Sequence, residues 1–277
     1  MADDWTWDET LFAGAAAHYT RGRLPYAPDL APVLARALRL DGTGRLLDVG
    51  CGPGTLTLRL AHLFAEAVGV DPDPGVIAEA RRLSRAAGAA DRTVWVRARA
   101  EELPGGLGTF DVAVFGQSFH WMDQPLVAAA VRDLLRPGGA LVHVADVKDG
   151  EGGGETRWPR VPYEGISRLV KEYLGPVRRA GRGVLPRGTP GGEREVFRRA
   201  GFLGPERHVV PGAGELTRGE DDVVAGVFSL SSSAPHLFGR RLGAFEGELR
   251  GLLRGWSPQG WFSERGPDTE VFVWHAP

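Results

Sequence analysis

The run Leu46-Leu47-Asp48-Val49-Gly50-Cys51-Gly52-Pro53-Gly54-Thr55 leaves a folding chain few choices. Leu46, Leu47 and Val49 make a short apolar stretch, and glycines follow at 50, 52 and 54. Beyond them Leu56, Leu58, Leu60, Leu63 and Phe64 recur periodically. This order predicts a buried strand, a tight turn and then a helix. Without Cβ atoms, the turn lets a bulky ligand approach the backbone. The helix N-terminus is expected to offer amide groups just beyond it.

The spacing G-x-G-x-G differs from the G-x-G-x-x-G of dinucleotide-binding turns. Asp48 closes the strand two residues before Gly50. A carboxylate there repels a pyrophosphate and suits a ligand with a cationic group at that end. A second acid, Asp71, follows Ala67-Val68-Gly69-Val70. At the tip of a second strand it can accept both hydroxyls of a ribose. These residues call for a nucleoside carrying positive charge. A dinucleotide turn or a bare structural turn is the alternative reading.

Asp48-Val49-Gly50-Cys51-Gly52-Pro53-Gly54 resembles, at every position, the first motif of class I S-adenosylmethionine-dependent methyltransferases. Asp71 is similar to that family's ribose-binding acid, and the resemblance runs over roughly residues 12 to 146. It implies an α/β fold: a Rossmann-like, seven-stranded, mostly parallel sheet with helices on both faces, plus a mostly helical cap. It implies S-adenosyl-L-methionine as cofactor, held by Asp48, Gly50, Gly52, Gly54, Asp71 and Pro72.

Further site residues come from the same resemblance. Phe12, Ala16 and Tyr19 share one helical face, and a stiff crossing with prolines at 25 and 28 follows. In one branch of the family such a segment folds over the cofactor, which places Tyr19 and Arg23 near the methionine carboxylate. Ala98 to Pro104 resembles the adenine-side motif: Ala100 and Glu101 match it, while Arg99 stands where an acid is usual. Adenine is then read by backbone groups at Ala100. Phe110 to Phe115 predicts a central parallel strand, and the loop Gly116 to Asp123 follows at the edge where ligands sit. Gln117 is expected there beside the cofactor. His120 is the candidate proton acceptor, because a reference pKa of about 6.5 suits that task at neutral pH. A histidine that merely shapes the loop is the alternative. Trp121, Trp158 and Tyr163 are the candidate substrate-binding residues.

The chain is expected to divide into a lid segment (1–40), a cofactor-binding core (41–147), a cap with substrate-binding insertions and a sixth strand (148–240), and a helix and strand that complete the core (241–277). A length of 277 residues and a hydrophobic fraction of 43% suffice for this. Thr217 to Leu230 reads as a helix with Thr217 as N-cap and Glu220 closing a capping box.

Composition narrows the partners. No apolar run approaches the roughly 18 residues of a membrane span, and the start Met1-Ala2-Asp3-Asp4-Trp5 lacks a signal-peptide core, so a cytoplasmic location without membrane association is expected. The one cysteine, Cys51, excludes an internal disulfide and a cysteine metal cluster. Seven histidines are scattered without i, i+4 pairing, so no metal site is expected. The formal net charge is −2, and acids are interspersed among the arginines, which disfavours a nucleic-acid substrate. The reading is methyl transfer to an O, N or C nucleophile of a small, modestly apolar or aromatic metabolite. RNA or protein methylation, a non-catalytic cofactor-binding subunit and an NAD-dependent oxidoreductase are the alternatives. Neither the acceptor nor the oligomeric state is written in the motifs.

Overall fold

The computed structural model describes residues 14–147, 155–180, 183–185 and 192–277. Phe12, the start of the expected lid and the cap positions 148–154 and 186–191 lie outside the described residues. In chain order the elements are α1 (Ala16–Gly22), α2 (Leu30–Ala37), β1 (Arg45–Val49), α3 (Thr55–Leu60), β2 (Glu66–Asp71), α4 (Pro74–Ala86), β3 (Thr93–Arg97), β4 (Phe110–Gly116), α5 (Gln124–Leu134) and β5 (Leu135–Asp146). Then come α6 (Tyr163–Leu174), β6 (Arg178–Ala180), β7 (Gly183–Leu185), α7 (Glu193–Arg199), β8 (Leu203–Val210), β9 (Glu215–Gly219), α8 (Glu220–Phe228), α9 (Leu242–Trp256), β10 (Trp261–Arg265) and β11 (Thr269–His275).

Contacts divide the chain into two compact units, one of residues 26–148, 190–212 and 267–277, the other of 1–25, 149–189 and 213–266. The first unit holds a seven-stranded sheet in the order β3-β2-β1-β4-β5-β11-β8. β1 through β5 run parallel to one another, and β11 lies antiparallel between β5 and β8. The expected seven-stranded, mostly parallel sheet is therefore present.

The strands form because alternate residues find cover on both faces. Leu47, Val49, Ala113, Phe115 and Leu141 pack with Val127 and Val131 of α5 and Phe197 of α7. Leu46, Val112, Val114 and Val142 pack on the opposite side with Leu30 and Leu34 of α2 and Leu56 and Leu60 of α3. Each such Leu, Val or Phe side chain contributes about 1.5–3 kcal/mol of burial. Parallel strands covered on both faces read as continuous apolar runs, which is why β4 was legible.

In the second unit, Val223, Val224, Phe228, Phe238, Phe245 and Leu249 belong to a separate apolar core. The expected cap of Thr217 is corrected there. Thr217 lies inside β9, paired with Ser263 of β10. The helix starts at Glu220, and Asp222 Oδ2 accepts from the Gly219 amide at 2.8 Å. The strand pairing consumes the residue that local sequence reads as a cap. No helix among the described residues is long and apolar enough to cross a membrane.

Candidate cofactor site

β1 delivers Asp48 to the base of the glycine turn, where it is 1% exposed. Its Oδ2 accepts a hydrogen bond from the Thr57 hydroxyl of α3 at 2.6 Å, and its Oδ1 is inaccessible and unpartnered among the described residues. A buried carboxylate without full hydrogen bonding resists ionisation. Burial pushes the Asp48 pKa up to about 7, against the opposing pull of the Thr57 hydroxyl. An orphaned buried acceptor of this kind costs free energy unless a donor arrives.

All three turn glycines have positive φ, +71° at Gly50, +53° at Gly52 and +80° at Gly54. Their surroundings differ. A Cβ at Gly54 would lie 2.2 Å from the Trp95 ring, and one at Gly50 would lie 2.6 Å from the Ser118 side chain. A Cβ at Gly52 would meet no described residue within 4 Å. Gly50 and Gly54 are thus glycine for internal packing, while Gly52 presents bare backbone to open space.

The turn's amides are already committed. Gly50 and Cys51 both donate to the Val70 carbonyl, at 2.8 and 3.0 Å. Gly52 donates to Asp71 Oδ2 at 3.0 Å, Gly54 donates to the Cys51 carbonyl at 3.0 Å, and Pro53 has no N–H. None of those four remains for a phosphate, and free amides can begin only at Thr55, at the helix N-terminus just beyond the turn. Two buried or half-buried carboxylates flank the turn as well. A pyrophosphate would find neither donors nor favourable charge, whereas a cationic nucleoside finds acceptors.

Asp71, at the tip of β2, uses both oxygens to hold backbone, Oδ2 on Gly52 and Oδ1 on the Asp73 amide at 3.0 Å. Burial raises its pKa to about 6, and the two amides oppose that rise. Each carboxylate oxygen keeps a second lone pair for a ribose hydroxyl. Pro72 continues from it into the turn before α4. We expect Asp71→Ala to weaken cofactor binding by roughly 1–3 kcal/mol, the scale of hydrogen bonds to a charged group. A calorimetric titration checks this, and unchanged affinity removes Asp71 from the ribose role.

Ala100 is buried in a short 3-10 turn after β3. Glu101 Oε1 accepts from the Asp123 amide at 2.9 Å, and its Oε2 lies 3.5 Å from Arg99 Nε. The arginine standing at the usual acid position is thereby paired with the following residue.

Gln117, just past β4, sits at φ +56°, a sparsely populated conformation for a residue with a side chain. Its amide group donates to Asp146 Oδ2 at 2.6 Å, and its backbone N–H donates to the Val144 carbonyl at 3.1 Å. The next residue, Ser118, is buried and donates to the Val49 carbonyl at 2.5 Å. These bonds pin the loop that carries His120 and Trp121, whose rings lie 5.3 Å apart. Backbone strain held by such bonds is characteristic of binding sites.

Tyr19, Arg23, Trp158 and Tyr163 belong to the second unit. The Arg23 guanidinium lies 5.1 Å from the Tyr19 ring centroid and donates to the Ser229 carbonyl at 3.1 Å. The Trp158 amide donates to Ser263 at 2.9 Å. The Tyr163 hydroxyl donates to the Glu264 carboxylate.

Sequence reading missed three supports: Thr57 on Asp48, Ser118 on β1, and Trp95, which fills the space at Gly54 and Gly69. Ser118 and Val49 are 69 residues apart, so no local pattern links them. Thr57, nine residues past Asp48 on the helix that leaves the turn, was the one partner that spacing could have suggested. Among the described residues no group of His, Cys, Asp and Glu side chains could hold a metal ion.

Residues 46–139 match the family described as a methyltransferase domain. The chain is 34% identical over 142 residues to an uncharacterized methyltransferase of Mycobacterium tuberculosis, covering 50% of this chain and 53% of that protein. It is 37% identical over 109 residues to a ubiquinone biosynthesis O-methyltransferase of Azorhizobium caulinodans, covering 39% and 42%. The chain spans about half the length of the curated relatives it matches first. Among solved structures, a methyltransferase of Thiobacillus denitrificans in complex with S-adenosyl-L-homocysteine aligns with a TM-score of 0.52 at 18% identity, over 95% of this chain and 97% of that one. The [4+2]-cyclase SpnF aligns at 0.54 and 21% identity, over 97% and 92%. Likeness at these identities concerns the fold.

Proposed function

From a chain whose residues 46–139 are a class I S-adenosylmethionine-dependent methyltransferase domain, we propose that the protein transfers the methyl group of S-adenosyl-L-methionine to a small-molecule acceptor. The observation that carries this reading is the glycine turn: its amides are spent internally, Gly52 opens to space, and the carboxylates of Asp48 and Asp71 flank it. That combination fits a nucleoside cation and rejects a pyrophosphate. A net charge of −2 supports a small acceptor over RNA.

When bound, the cofactor's sulfonium supplies an activated methyl that a nucleophile can displace directly. The chain's residues then have to bind, align and exclude water. Gly52 admits the ligand against the backbone, Asp71 orients the ribose, and Asp48 places negative charge behind the turn. Ala100 and Glu101 border the adenine, and Tyr19 with Arg23 holds the methionine carboxylate. Alignment by itself supplies up to about 7–11 kcal/mol in favourable systems, so no strong base is required.

Where the acceptor must lose a proton, His120 takes it in this reading, with Trp121 beside it. His120→Ala is then expected to slow S-adenosylhomocysteine formation about 100-fold, within the range of general-base catalysis, with cofactor affinity nearly unchanged. An unchanged rate across the pH range leaves His120 a loop-shaping residue.

Calorimetric titration with S-adenosylmethionine and S-adenosylhomocysteine, with NAD as control, tests the cofactor; an acceptor screen followed by S-adenosylhomocysteine release tests turnover. Binding of NAD alone overturns the reading. Adenosyl binding without turnover on any acceptor favours a second one. The fold is shared with a [4+2]-cyclase, so a chain of this architecture need not transfer the methyl group.

A further inference from the structure

Tyr26 is half-buried and belongs to the same unit as the glycine turn. It is followed by Ala27-Pro28, ahead of α2, and that segment is clamped from two directions. The Ala27 amide donates to the Thr269 hydroxyl of β11 at 3.0 Å. The Arg59 guanidinium of α3 donates to the carbonyls of Ala27 and Pro28, at 2.9 and 2.7 Å. Ala27 and Thr269 are fully buried, so the clamp is shielded from water.

The clamp sets the Tyr26 hydroxyl over Gly116, the last residue of β4. A Cβ at Gly116 would lie 2.8 Å from the Tyr26 hydroxyl oxygen and 2.8 Å from Leu56 Cδ2. Gly116 does not have a positive φ, so its backbone does not call for glycine. The space of its missing side chain is taken by a phenol and a leucine.

Asp48 lies on the same face of the sheet. It pairs with Val114, and Gly116 is the next residue of β4 on that side. Leu46, Val114 and Leu56 share one cluster there, and Tyr26 packs against it. Thr57, which bonds Asp48, follows Leu56 on α3. The phenol and the buried carboxylate thus share one face near the carboxyl ends of adjacent strands, the edge where ligands sit.

The strand order indicates which part of the cofactor comes here. β3, β2, β1 and β4 are neighbours in that order. With adenine beside the turn after β3 and ribose at the tip of β2, the amino-acid end reaches β1 and β4. That end carries an ammonium and a carboxylate. A phenol oxygen can accept from an N–H, and the Asp48 carboxylate attracts a cation and repels a second anion.

We propose that the Tyr26 hydroxyl accepts a hydrogen bond from the methionine ammonium of bound S-adenosylmethionine, with Gly116 leaving the room it needs. The proposal rests on the cofactor reading above and deepens it, by adding a residue that tells the two charged groups of the amino-acid end apart.

The test is calorimetric titration of the full wild-type chain and of Tyr26→Phe with four ligands. They are S-adenosylmethionine, S-adenosylhomocysteine, the deaminated analogue of the latter that keeps its carboxylate, and 5′-methylthioadenosine, which lacks the amino-acid end. Tyr26→Phe is expected to weaken the first two at least about tenfold, the scale of a hydrogen bond to a charged group, and to leave the other two within about twofold of wild type. An unchanged melting temperature verifies that the variant is folded. Asp71→Ala is the contrast, expected to weaken all four. Unchanged affinity of Tyr26→Phe for S-adenosylmethionine and S-adenosylhomocysteine refutes the contact. Three other patterns overturn the ammonium assignment. An equal loss on the deaminated analogue means that the phenol meets the carboxylate. A loss on 5′-methylthioadenosine means that it shapes the whole site. A loss on S-adenosylmethionine with S-adenosylhomocysteine spared means that it meets the sulfonium. Wild type that binds no adenosyl ligand defeats the cofactor reading itself, a result distinct from wild type that binds them and a Tyr26→Phe variant that matches it.

Discussion

Gly52→Val is expected to weaken S-adenosylmethionine binding at least about 100-fold, equivalent to about 2.7 kcal/mol, while the sheet stays folded. Gly52 has φ +53°, where a β-branched side chain is strained by about 1–2 kcal/mol. No described residue lies within 4 Å of the Cβ that would be added. Folding therefore suffers only that local strain, and the new methyl groups stand in the space where the ligand approaches the backbone. Gly54 is the internal control. Its φ is +80°, and an added Cβ would fall 2.2 Å from the Trp95 ring, so Gly54→Ala strikes the core before it strikes the ligand. Thermal unfolding and calorimetry together separate the two. Gly52→Val should retain most of its melting temperature and lose binding, whereas Gly54→Ala should lose several degrees. Normal cofactor affinity in Gly52→Val would show that the ligand does not cross the turn there.

Cofactor affinity should also depend on pH through Asp48. The ligand-free carboxyl has a pKa near 7, raised by burial, and a cation bound behind the turn prefers the carboxylate. At pH 6 most of the ligand-free protein must release this proton to bind, and at pH 8 almost none must. One-proton linkage then makes binding about tenfold weaker at pH 6 than at pH 8. Asp71, with a pKa near 6, adds to the fall only at the acid end. Asp48→Asn should flatten the profile between pH 6.5 and 8 and lower affinity by roughly 1.5–3 kcal/mol at pH 8, where the wild type is charged.

The stability effect of Asp48 has the opposite sign. Its folded pKa lies above the unfolded value of 3.8, so the unfolded chain gives up this proton first. The contribution of the protonated group is full below pH 4 and is lost as pH rises through 7. Asp48→Asn should lack this loss and melt higher than wild type, relative to their difference at pH 4, when both are compared at pH 8. A pH-independent wild-type affinity between 6 and 8 would mean that Asp48 keeps one protonation state throughout binding.

The sheet was legible because its signals are local. β4 spans Phe110–Gly116, one residue beyond the Phe110 to Phe115 expected for it, since that run is apolar apart from Asp111 and ends at a glycine. The acid-bearing turn was legible for the same reason, as Asp48, the three glycines and Asp71 lie within one strand-turn-helix-strand unit. β9 and β10 were not legible. Thr217 and Ser263 pair although they lie 46 positions apart, and the pairing overrides a local capping preference worth about 1 kcal/mol.

By itself, the order of residues determined the architecture and the kind of ligand: a covered parallel sheet, positive-φ glycines at its edge, and carboxylates where a pyrophosphate would need donors. Only the tertiary structure decided how those groups are used. Which glycine faces open space, which amides are already spent and which oxygen of Asp48 is orphaned all depend on partners supplied from distant segments. Ser118 reaches Val49, Gln117 reaches Asp146, and Arg23 reaches Ser229. Hydrogen-bond satisfaction and desolvation are properties of the assembled surroundings, and a linear pattern carries only the residue's own half of each.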